Sequence, residues 1–442
     1  MADASKICET AMERKIKIVF FLDYPAIRGV DCRFLKNGNP GIGGSPFALL
    51  ALLYLLQENY AADFDISLYT QESEGISDAV KTVRIRDFES ALIRAENDKA
   101  DIFISQYNAE NLIMLQKYRH YRLKHVIWAG NFIYRQELTF LAKISNIARI
   151  VCVGREQLDL YRDHPAFKKS TFIYNGIFLH KEKLPEYNQR PNEVTYIGSL
   201  IPCKGFHILA KAWKQIVAAV PDAKLNVIGK GNLYDKTIKL GSFGLASQDY
   251  EKEFIPCLTD NNGKLLPSVQ FFGNLGTEKK EILQKTKVGV PNPSGISETF
   301  CISAIEMQAE GCLIATKKCP AYLDTVFRNG ILIKRECDLA DAVVALLHKK
   351  DNDYKQMYSW LNGHFEYYKI ASEWKRLLHD IFSDKPVVYE KILKNPDFNA
   401  KYLRELNRKI KEFLPFGFQL LPTVLFYTSL FSKIHQLFSR KK

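Results

Sequence analysis

The sequence predicts two α/β domains, each built on a doubly wound parallel sheet. Short apolar, β-branched runs alternate with longer helical patterns, and the runs are continuously hydrophobic, as in strands buried on both faces. A polar stretch with two prolines, residues 181–192, divides the runs into two series. The predicted strands are 16–22, 64–69, 101–105, 126–128, 150–153 and 171–174, then 194–197, 225–228, 269–272, 288–290, 313–315 and 331–333.

Length and composition are those of a globular protein that can build large cores. The chain has 442 residues, of which 47% are hydrophobic and 25% charged, which excludes a disordered or collagen-like chain. Nine cysteines are scattered without a Cys-x-x-Cys spacing, which argues against a disulfide framework and a zinc ribbon. Residues 1–14 hold acids and no apolar run, so we expect no signal peptide and a cytoplasmic location.

The net charge of +13 is concentrated in one tail. Residues 401–442 hold nine lysines and arginines against two acids, which accounts for more than half of the excess. A basic chain can bind nucleic acid, an anionic membrane surface or phosphorylated substrates. Because the excess lies in the tail, we expect a membrane surface and a phosphorylated substrate, and no nucleic acid.

A glycine loop precedes the first predicted helix. In the run from Gly41 to Pro46, Ser45 is a predicted N-cap, with the proline in the first turn of an apolar helix over 47–56. Such a loop brings free N–H groups at Gly43 and Gly44 to the edge of the first domain. A flexible connection is the alternative. A dinucleotide site fits less well, because Pro46 occupies the third glycine position.

The strongest motif is the segment 291–316. A strand ends near residue 290, a Gly/Ser/Pro loop follows, and a helix is predicted to begin at 298–300. Glu298 and Glu306 would lie about 12 Å apart along that helix, so they cannot share one proton or one metal. The two acids could bind opposite ends of an elongated ligand. The backbone amides of Thr299, Phe300 and Cys301 could then bind the negatively charged middle of that ligand at the helix N-terminus.

A purely structural role for these acids is the alternative, in which Glu306 caps Ser303 and Glu298 favours the helix dipole. A second motif argues against this purely structural role. After the strand 194–197 come Gly198 and then Lys204, which opens another helix and can neutralise a diphosphate.

These motifs resemble a known family. IGSLIPCKG, LNVIGKG, VQFFGNL and SETFCISAIE, in this order, resemble the C-terminal domain of family 4 glycosyltransferases, which have the GT-B fold. IYNGI and GIGGS resemble the segment leading into that domain and the N-terminal glycine loop. The resemblance implies an acceptor domain over 1–186, a nucleotide-sugar domain over 187–364, a helix crossing back over 365–385, and a tail over 386–442.

The resemblance also implies roles for individual residues. Lys204 would contact the donor diphosphate and Glu298 the sugar hydroxyls, which makes them the expected catalytic residues. Glu306 would bind the ribose, and Gly43 and Gly44 would lie near the phosphate. The remaining expected donor-binding residues are Gly198, Ser199, Lys230, Thr299, Phe300 and Cys301.

Two departures from the family pattern concern the charges. Ser199 stands where the family usually has an arginine, so one phosphate cation is missing or supplied elsewhere, for example by Lys230. A histidine usual after the fourth strand is absent, and Asn131 is its expected substitute on the acceptor side. We expect His125, just before the strand 126–128, to be structural.

Metal signatures are weak. Asp63-Phe64-Asp65 has the Asp-x-Asp form of GT-A enzymes but opens a strand instead of following one, and neither a zinc-binding His-Glu-x-x-His nor a Gly-Lys-Ser/Thr phosphate loop occurs. We therefore expect no metal and no cofactor.

The expected reaction is transfer of a sugar from a nucleotide-diphosphate sugar to a hydroxyl of a saccharide acceptor, with retention of configuration. Because of the tail, we expect the acceptor to be lipid-linked. The expected setting is biosynthesis of a surface polysaccharide, lipopolysaccharide or capsule. The alternatives are a catalytically weak nucleotide-sugar-binding scaffold subunit and a sugar-nucleotide epimerase.

The tail from 387 predicts membrane association. Residues 413–432 are twenty residues without a charge, enough to span about 30 Å as a helix, but prolines at 415 and 422 would break it. Its aromatics, with cations on both flanks, predict a segment lying at the inner face of the membrane. A true span, or an extension packed on the protein's own surface, are the alternatives.

Overall fold

The computed structural model describes residues 14–180, 184–233, 237–389, 391–392, 400–424 and 426–427. The described residues form two parallel sheets, which confirms the predicted fold class. Part of the predicted linker (181–183) and the end of the tail from 428, with its cations at 433 and 440–442, lie outside the described residues.

The first sheet has the order β3-β2-β1-β4-β5-β6-β7, with every paired strand parallel. Its strands are β1 (Ile16–Leu22), β2 (Phe64–Thr70), β3 (Thr82–Arg84), β4 (Ile102–Gln106), β5 (Lys124–Ala129), β6 (Ile147–Cys152) and β7 (Ser170–Phe172). Alternate residues of β1 belong to two separate cores: Phe20 to one and Phe21 to the other. Both faces of the sheet are therefore covered, as the continuous hydrophobic runs predict.

The second sheet has the order β10-β9-β8-β11-β12-β13 and is also parallel. Its strands are β8 (Glu193–Ile197), β9 (Lys224–Ile228), β10 (Val269–Gly273), β11 (Val288–Gly289), β12 (Leu313–Lys317) and β13 (Ile331–Ile333). In both sheets the chain runs outward from a central strand and then returns, which creates a crevice at the carboxyl ends of the strands.

Helices cover both sheets. They are α1 (Gly44–Asn59), α2 (Phe88–Asn97), α3 (Leu112–Lys117), α4 (Arg135–Lys143), α5 (Arg155–Asp159), α6 (Phe206–Ala219), α7 (Gln248–Leu258), α8 (Lys279–Lys285), α9 (Ile302–Ala309), α10 (Pro320–Thr325), α11 (Leu339–Leu347), α12 (Tyr354–Phe365), α13 (Tyr367–Phe382), α14 (Lys401–Phe413) and α15 (Gly417–Leu420). No helix within the described ranges is long and apolar enough to cross a membrane.

Helix α1 begins earlier than the sequence predicts. Its N-cap is Gly43, with φ −57° and ψ 146°, so Ser45 lies inside the first turn and is not the cap. The Ser45 carbonyl instead accepts a hydrogen bond of 2.5 Å from Gln106 Nε2, at the end of β4. The glycine cap therefore leaves the Ser45 hydroxyl beside Gly130, at the edge of the sheet.

Helix α13 returns from the second sheet to the first. It packs against α1, and the Trp374 ring lies 4.8 Å from the ring of Trp128 on β5. Lys375 pairs with Asp63 at 2.9 Å. The first carboxylate of the Asp-x-Asp sequence thus binds this helix, which anchors the end of the second domain on the first.

A buried carboxylate joins the two domains on another side. Asp324 of α10 accepts hydrogen bonds from the Tyr174 hydroxyl at 3.1 Å and from the Glu156 backbone N–H at 3.0 Å. Burial raises the pKa of Asp324 to about 7, and the neighbouring Glu156 carboxylate acts in the same direction. The Asp324 carboxyl group at this contact therefore gains or loses its proton near neutral pH.

The raised pKa of Asp324 predicts a pH-dependent stability. The unfolded chain releases this proton near pH 4 and the folded protein only near pH 7, so the free energy of unfolding should fall as the pH rises between them. Three pKa units correspond to about 4 kcal/mol at most. Denaturant unfolding of Asp324→Asn should show a smaller fall between about pH 5 and about pH 8 than the parent chain.

The control is Asp249→Asn, which changes an exposed carboxylate on α7 and should keep the parent's pH dependence. An equal fall in the parent and in Asp324→Asn would contradict the assignment.

Candidate active site

A cavity of about 540 Å³ lies between the carboxyl ends of the two sheets. Both domains line it, which is the usual place for a ligand in open α/β folds. Its walls include Tyr24, Gly41, Gly44, Ser45, Gly130, Asn131, Asn175, Gly198, Ser199, Lys204, Lys279, Asn292, Glu298, Thr299, Phe300, Cys301, Ile302, Ser303 and Glu306. Most of the residues predicted for the donor site are therefore brought together here.

The first ion pair of the cavity joins Lys204 and Glu298. Lys204 Nζ lies 2.9 Å from Glu298 Oε2, and Asn292 Nδ2 donates to the same oxygen at 2.8 Å. Glu298 is only 7% exposed, so its charge needs both donors. The pair fixes an ammonium and a carboxylate side by side on the wall of the cavity.

The loop that carries Glu298 has an unusual backbone. Asn292 and Ser297 adopt positive φ angles of 28° and 54°, a region that side chains other than glycine rarely occupy. Gly205 faces this loop with φ 68°, and a Cβ there would lie 2.6 Å from the Ser294 nitrogen. The Lys204 turn and the Glu298 loop therefore pack directly against each other, which only glycine at 205 permits.

A second ion pair lies deeper along α9. Lys279 Nζ lies 3.0 Å from Glu306 Oε1, and both side chains are largely buried. The Ser303 hydroxyl contacts Cys301 Sγ at 3.3 Å. Glu306 therefore pairs with Lys279 on the cavity wall, and the alternative in which it caps Ser303 is not observed.

Helix α9 begins at Ile302, later than predicted. Cys301 is its N-cap in an extended conformation, so Glu298, Thr299 and Phe300 precede the helix. The predicted 12 Å separation along one helix therefore does not apply to the two acids. The amides in the first turn belong to Ile302 and Ser303, both on the wall of the cavity.

Three predicted residues have buried side chains near this helix start. Thr299 Oγ1 donates a hydrogen bond of 2.5 Å to the Gly130 carbonyl of the first domain. The Phe300 ring lies 5.9 Å from that of Tyr174, and burial raises the pKa of the Cys301 thiol to about 12. Thr299 and Phe300 therefore contact the first domain, whereas Cys301 packs within the second domain and supports the loop.

The glycine loop of the first domain reaches the same helix start. A Cβ at Gly44 would lie 3.1 Å from Ile302 Cδ1, so the backbones approach closely there. Gly43 is buried, and its N–H donates to the Tyr24 hydroxyl at 3.2 Å. Gly44 lines the cavity, whereas Gly43 is absent from its walls.

Ser199 and Lys230 interact through a backbone group. The Ser199 hydroxyl donates to the Lys230 carbonyl at 3.1 Å. The Lys230 side chain lies beside Gly273 and is not among the cavity walls. The second cation on the walls is Lys279, which the sequence interpretation missed although it follows the strand β10 closely.

Asn131 connects the main cavity to a smaller one of about 310 Å³ on the first domain. The smaller cavity is lined by Phe21, Asp23, Gln106, Tyr107, Asn108, Ala109, Asn111 and Asn131. Burial, followed by the nearby Glu110 charge, raises the pKa of Asp23.

His125 is a buried core residue beside Phe103, as predicted, and burial lowers its pKa to about 3.

Two asparagines were also missed. Asn292 positions Glu298, and its signal is the tolerance of asparagine for a left-handed backbone within a Pro-Asn-Pro run. Asn175 of the Ile-Tyr-Asn-Gly-Ile segment is 7% exposed on the cavity wall, and its Oδ1 has no hydrogen-bond partner among the described residues. A buried acceptor of this kind is available to a ligand.

The described residues contain no group of three or more His, Cys, Asp or Glu side chains placed to hold a metal ion.

One family model matches part of this chain. Residues 191–349 match the family model described as Glycosyl transferases group 1. No curated protein matches the sequence significantly. The family match assigns the second domain to the group 1 glycosyltransferases, with which the resemblance to family 4 is compatible.

Solved structures match most of the chain. Anabaena HepE in complex with UDP-glucose covers 83% of this chain and 100% of its own, with a TM-score of 0.61 and 14% identity. Sucrose-phosphate synthase from Thermosynechococcus elongatus covers 84% and 100%, with a TM-score of 0.64 and 15% identity. The structure of a glycosyltransferase from Rickettsia africae covers 84% of this chain and 100% of its own, with a TM-score of 0.62 and 12% identity. These matches establish the GT-B fold.

The hydrogen bond from Thr299 to the Gly130 carbonyl predicts how the domains open. Thr299→Val removes the hydroxyl with little change of shape, and a net loss of about 1 kcal/mol shifts the ratio of closed to open molecules about fivefold. Small-angle X-ray scattering of the variant without ligand should give a larger radius of gyration than the parent.

The control is Thr259→Val, whose hydroxyl bonds to Ile255 within the second domain and should leave the scattering unchanged. Equal profiles for the parent and Thr299→Val would show that this bond does not hold the domains closed.

Proposed function

We propose that this protein transfers a sugar from a nucleotide-diphosphate sugar to a hydroxyl of a saccharide acceptor, with retention of configuration. The observation that carries the proposal is the pair of lysine–glutamate contacts, Lys204 with Glu298 and Lys279 with Glu306, on the wall of one interdomain cavity. Two cations suit a diphosphate, and two carboxylates suit sugar and ribose hydroxyls.

The donor would lie with its diphosphate between the two lysines. Negative charge grows on the leaving diphosphate as the sugar bond breaks, and fixed cations stabilise that charge without reorganising. The first-turn amides of α9 belong to Ile302 and Ser303, which line the same cavity, and a helix N-terminus adds to the positive potential there. Lys204 and the amides thereby favour the transition state over the bound donor.

Glu298 would hold the reacting sugar, and Glu306 the ribose. The Glu298 carboxylate is oriented by Lys204 and Asn292 before any ligand binds, which lowers the entropy lost on fixing the sugar ring. The proposed reaction uses no side chain of the cavity wall as a covalent nucleophile. Attack from the face of the departing phosphate, assisted by that phosphate, is therefore the proposed route to retention.

The proposed chemistry requires no metal and no cofactor, because Lys204 and Lys279 supply the charge that a divalent cation would otherwise provide. The choice of nucleotide is guided by Anabaena HepE, which has the same fold and whose structures contain UDP-glucose, or UDP and glucose. UDP-sugars are therefore the first donors to test.

The smaller cavity on the first domain is the proposed acceptor side. Asn131, Gln106 and Asn108 offer amide groups and Asp23 a carboxylate, a set that matches the many hydroxyls of a saccharide. Because it joins the donor cavity at Asn131, a hydroxyl bound there could approach the sugar carbon. The proposed acceptor is a lipid-linked saccharide in the synthesis of a surface polysaccharide such as lipopolysaccharide or capsule.

A scaffold subunit that binds nucleotide sugars without efficient transfer is the second function. Ser199 favours it, because its hydroxyl is engaged by the Lys230 carbonyl and no cation stands at that position. Lys279 opposes it by bringing a second cation to the cavity. A sugar-nucleotide epimerase is a third, and would convert the donor without an acceptor.

One experiment separates these functions. Thermal unfolding is measured with UDP-, GDP-, ADP- and dTDP-sugars, since a ligand that binds only the folded state raises the midpoint. The stabilising donor is then incubated with saccharide acceptors, and the anomer of the product is read by NMR. Stabilisation without transfer indicates the scaffold, an isomerised donor indicates the epimerase, and no stabilisation by any donor contradicts all three.

The two acids should respond differently to substitution. Glu298→Ala should lower kcat by about 100-fold with little change in nucleotide affinity, because it contacts the reacting sugar. Glu306→Ala should weaken nucleotide binding about tenfold, as expected for a lost hydrogen bond to a charged group. Calorimetric titration with the nucleotide and initial-rate kinetics measure the two effects.

The matched control is Glu281→Ala on the exposed side of α8, which should change neither value. Full-rate transfer by Glu298→Ala would remove Glu298 from the proposed mechanism.

A further inference from the structure

Helix α14 has its charged face buried and its apolar face exposed. Lys401, Arg404 and Lys411 are at most 3% exposed. Leu406 and Phe413 are 55% and 88% exposed. A helix on the surface of a soluble domain normally turns these faces the other way. The inversion indicates that something other than water covers the outer face.

The buried face is held by acids of the first domain. Lys401 Nζ lies 3.0 Å from Glu156 Oε1, and Arg404 lies 3.6 Å from Asp163. Lys411 Nζ donates to the Asp163 carbonyl at 2.7 Å. Buried charges are tolerated when they are paired in this way, and separating such pairs is costly. The helix orientation is therefore fixed by these contacts, and the apolar face cannot rotate inward without breaking them.

The outer face is a continuous apolar stripe. Leu403, Leu406, Ile410 and Phe413 follow one another at spacings of three and four residues, which places them along one side of the helix. Exposed large apolar side chains continue beyond it at Leu414, Phe416, Leu420 and Tyr427. Together with Tyr402, this set makes up half of the exposed large apolar side chains in the described part of the chain. Patches of this kind mark an interaction surface.

Cations border the stripe. The Lys168 ammonium lies 4.9 Å from the Phe418 ring, and the Arg135 guanidinium lies 4.9 Å from the Phe426 ring. Lys409 is exposed on α14 itself. The exposed acid of the helix, Glu412, is bound by Arg408 at 2.7 Å. The rim is therefore positive, as the charge excess of the tail requires.

We propose that the outer face of α14 and the aromatic residues that follow it bind the surface of an anionic lipid bilayer. An apolar stripe bordered by lysine and arginine matches acyl chains beneath anionic headgroups. The helix of thirteen residues is about 20 Å long, which suits a helix lying flat in the interface. The lipid contacts come from the apolar stripe and not from Lys401, Arg404 and Lys411, which are buried although they belong to the basic stretch of the tail.

The surface lies beside the proposed acceptor side. Asn131 is on the cavity wall, Tyr134 is 71% exposed, and Arg135 is the residue that contacts Phe426 of the tail. The four residues from 131 to 134 are joined by three Cα–Cα steps, which span at most about 11 Å. A lipid-linked saccharide anchored at this surface would therefore reach the smaller cavity directly, a step that rests on the proposed function.

The test is flotation of the full chain with vesicles. Vesicles of phosphatidylcholine with phosphatidylglycerol should bind the protein, and vesicles of phosphatidylcholine alone should bind it less. The double variant Leu406→Glu with Ile410→Glu should lose at least about tenfold in binding, because it places two charges in the apolar stripe. Lys168→Glu with Lys409→Glu should weaken binding to the anionic vesicles and reduce its dependence on salt.

The control is Ile113→Glu, which changes an apolar residue on α3 of the first domain that is also exposed and should keep full binding. Thermal shifts with the nucleotide sugar check that every variant is folded and still binds its donor, independently of the lipid result. Equal vesicle binding by the stripe variant and the parent would overturn the proposal. So would a dimer in solution that the stripe variant dissociates, since the stripe would then be covered by a second copy.

Discussion

The ion pair between Lys204 and Glu298 is the interaction on which the rest of the site depends. It joins the turn after β8 to the loop after β11, so the two partners come from neighbouring strands of one sheet. The parallel arrangement brings both strand ends to the same edge, and glycine at 205 lets the two loops touch. A buried carboxylate without that ammonium would be strongly destabilised. The Asn292 amide is a second donor to the same carboxylate, and Asn292 adopts a rare backbone conformation in this loop.

The same constraint explains how the first domain participates. The loop of Glu298 leads directly into Thr299, which donates to the Gly130 carbonyl, and then into α9, whose start faces Gly44. The geometry of the ion pair and the closure of the cleft are therefore set by one stretch of chain. A ligand that competes for Lys204 or Glu298 acts on the loop that also contacts the first domain, so ligand binding in the cavity and closure of the domains share a physical connection.

Most strands were predictable because buried parallel strands have short, continuously apolar sequences. Strand β3 was missed because it is a three-residue strand at the edge of the sheet and is only partly buried. The helix starts were misplaced at Ser45 and Glu298, since backbone conformations at Gly43 and Cys301 decide them, and sequence patterns do not specify those angles. Lys279 could not be recognised as a wall residue because its role depends on which loop lies opposite Glu306 across the cavity. The inversion of α14 was hidden for the same reason, since the acids that bind its lysines are more than 200 residues away.

Glu156 connects the tail to the contact between the domains. Its carboxylate binds Lys401 of α14, while its backbone N–H donates to Asp324 of the second domain. The Glu156 carboxylate also acts to raise the pKa of Asp324, and the Lys401 ammonium lies 3.0 Å from that Glu156 carboxylate. Glu156 therefore contacts both the tail helix and the buried carboxylate that joins the two domains. The helix that turns its apolar face outward is in this way attached next to the contact between the two domains.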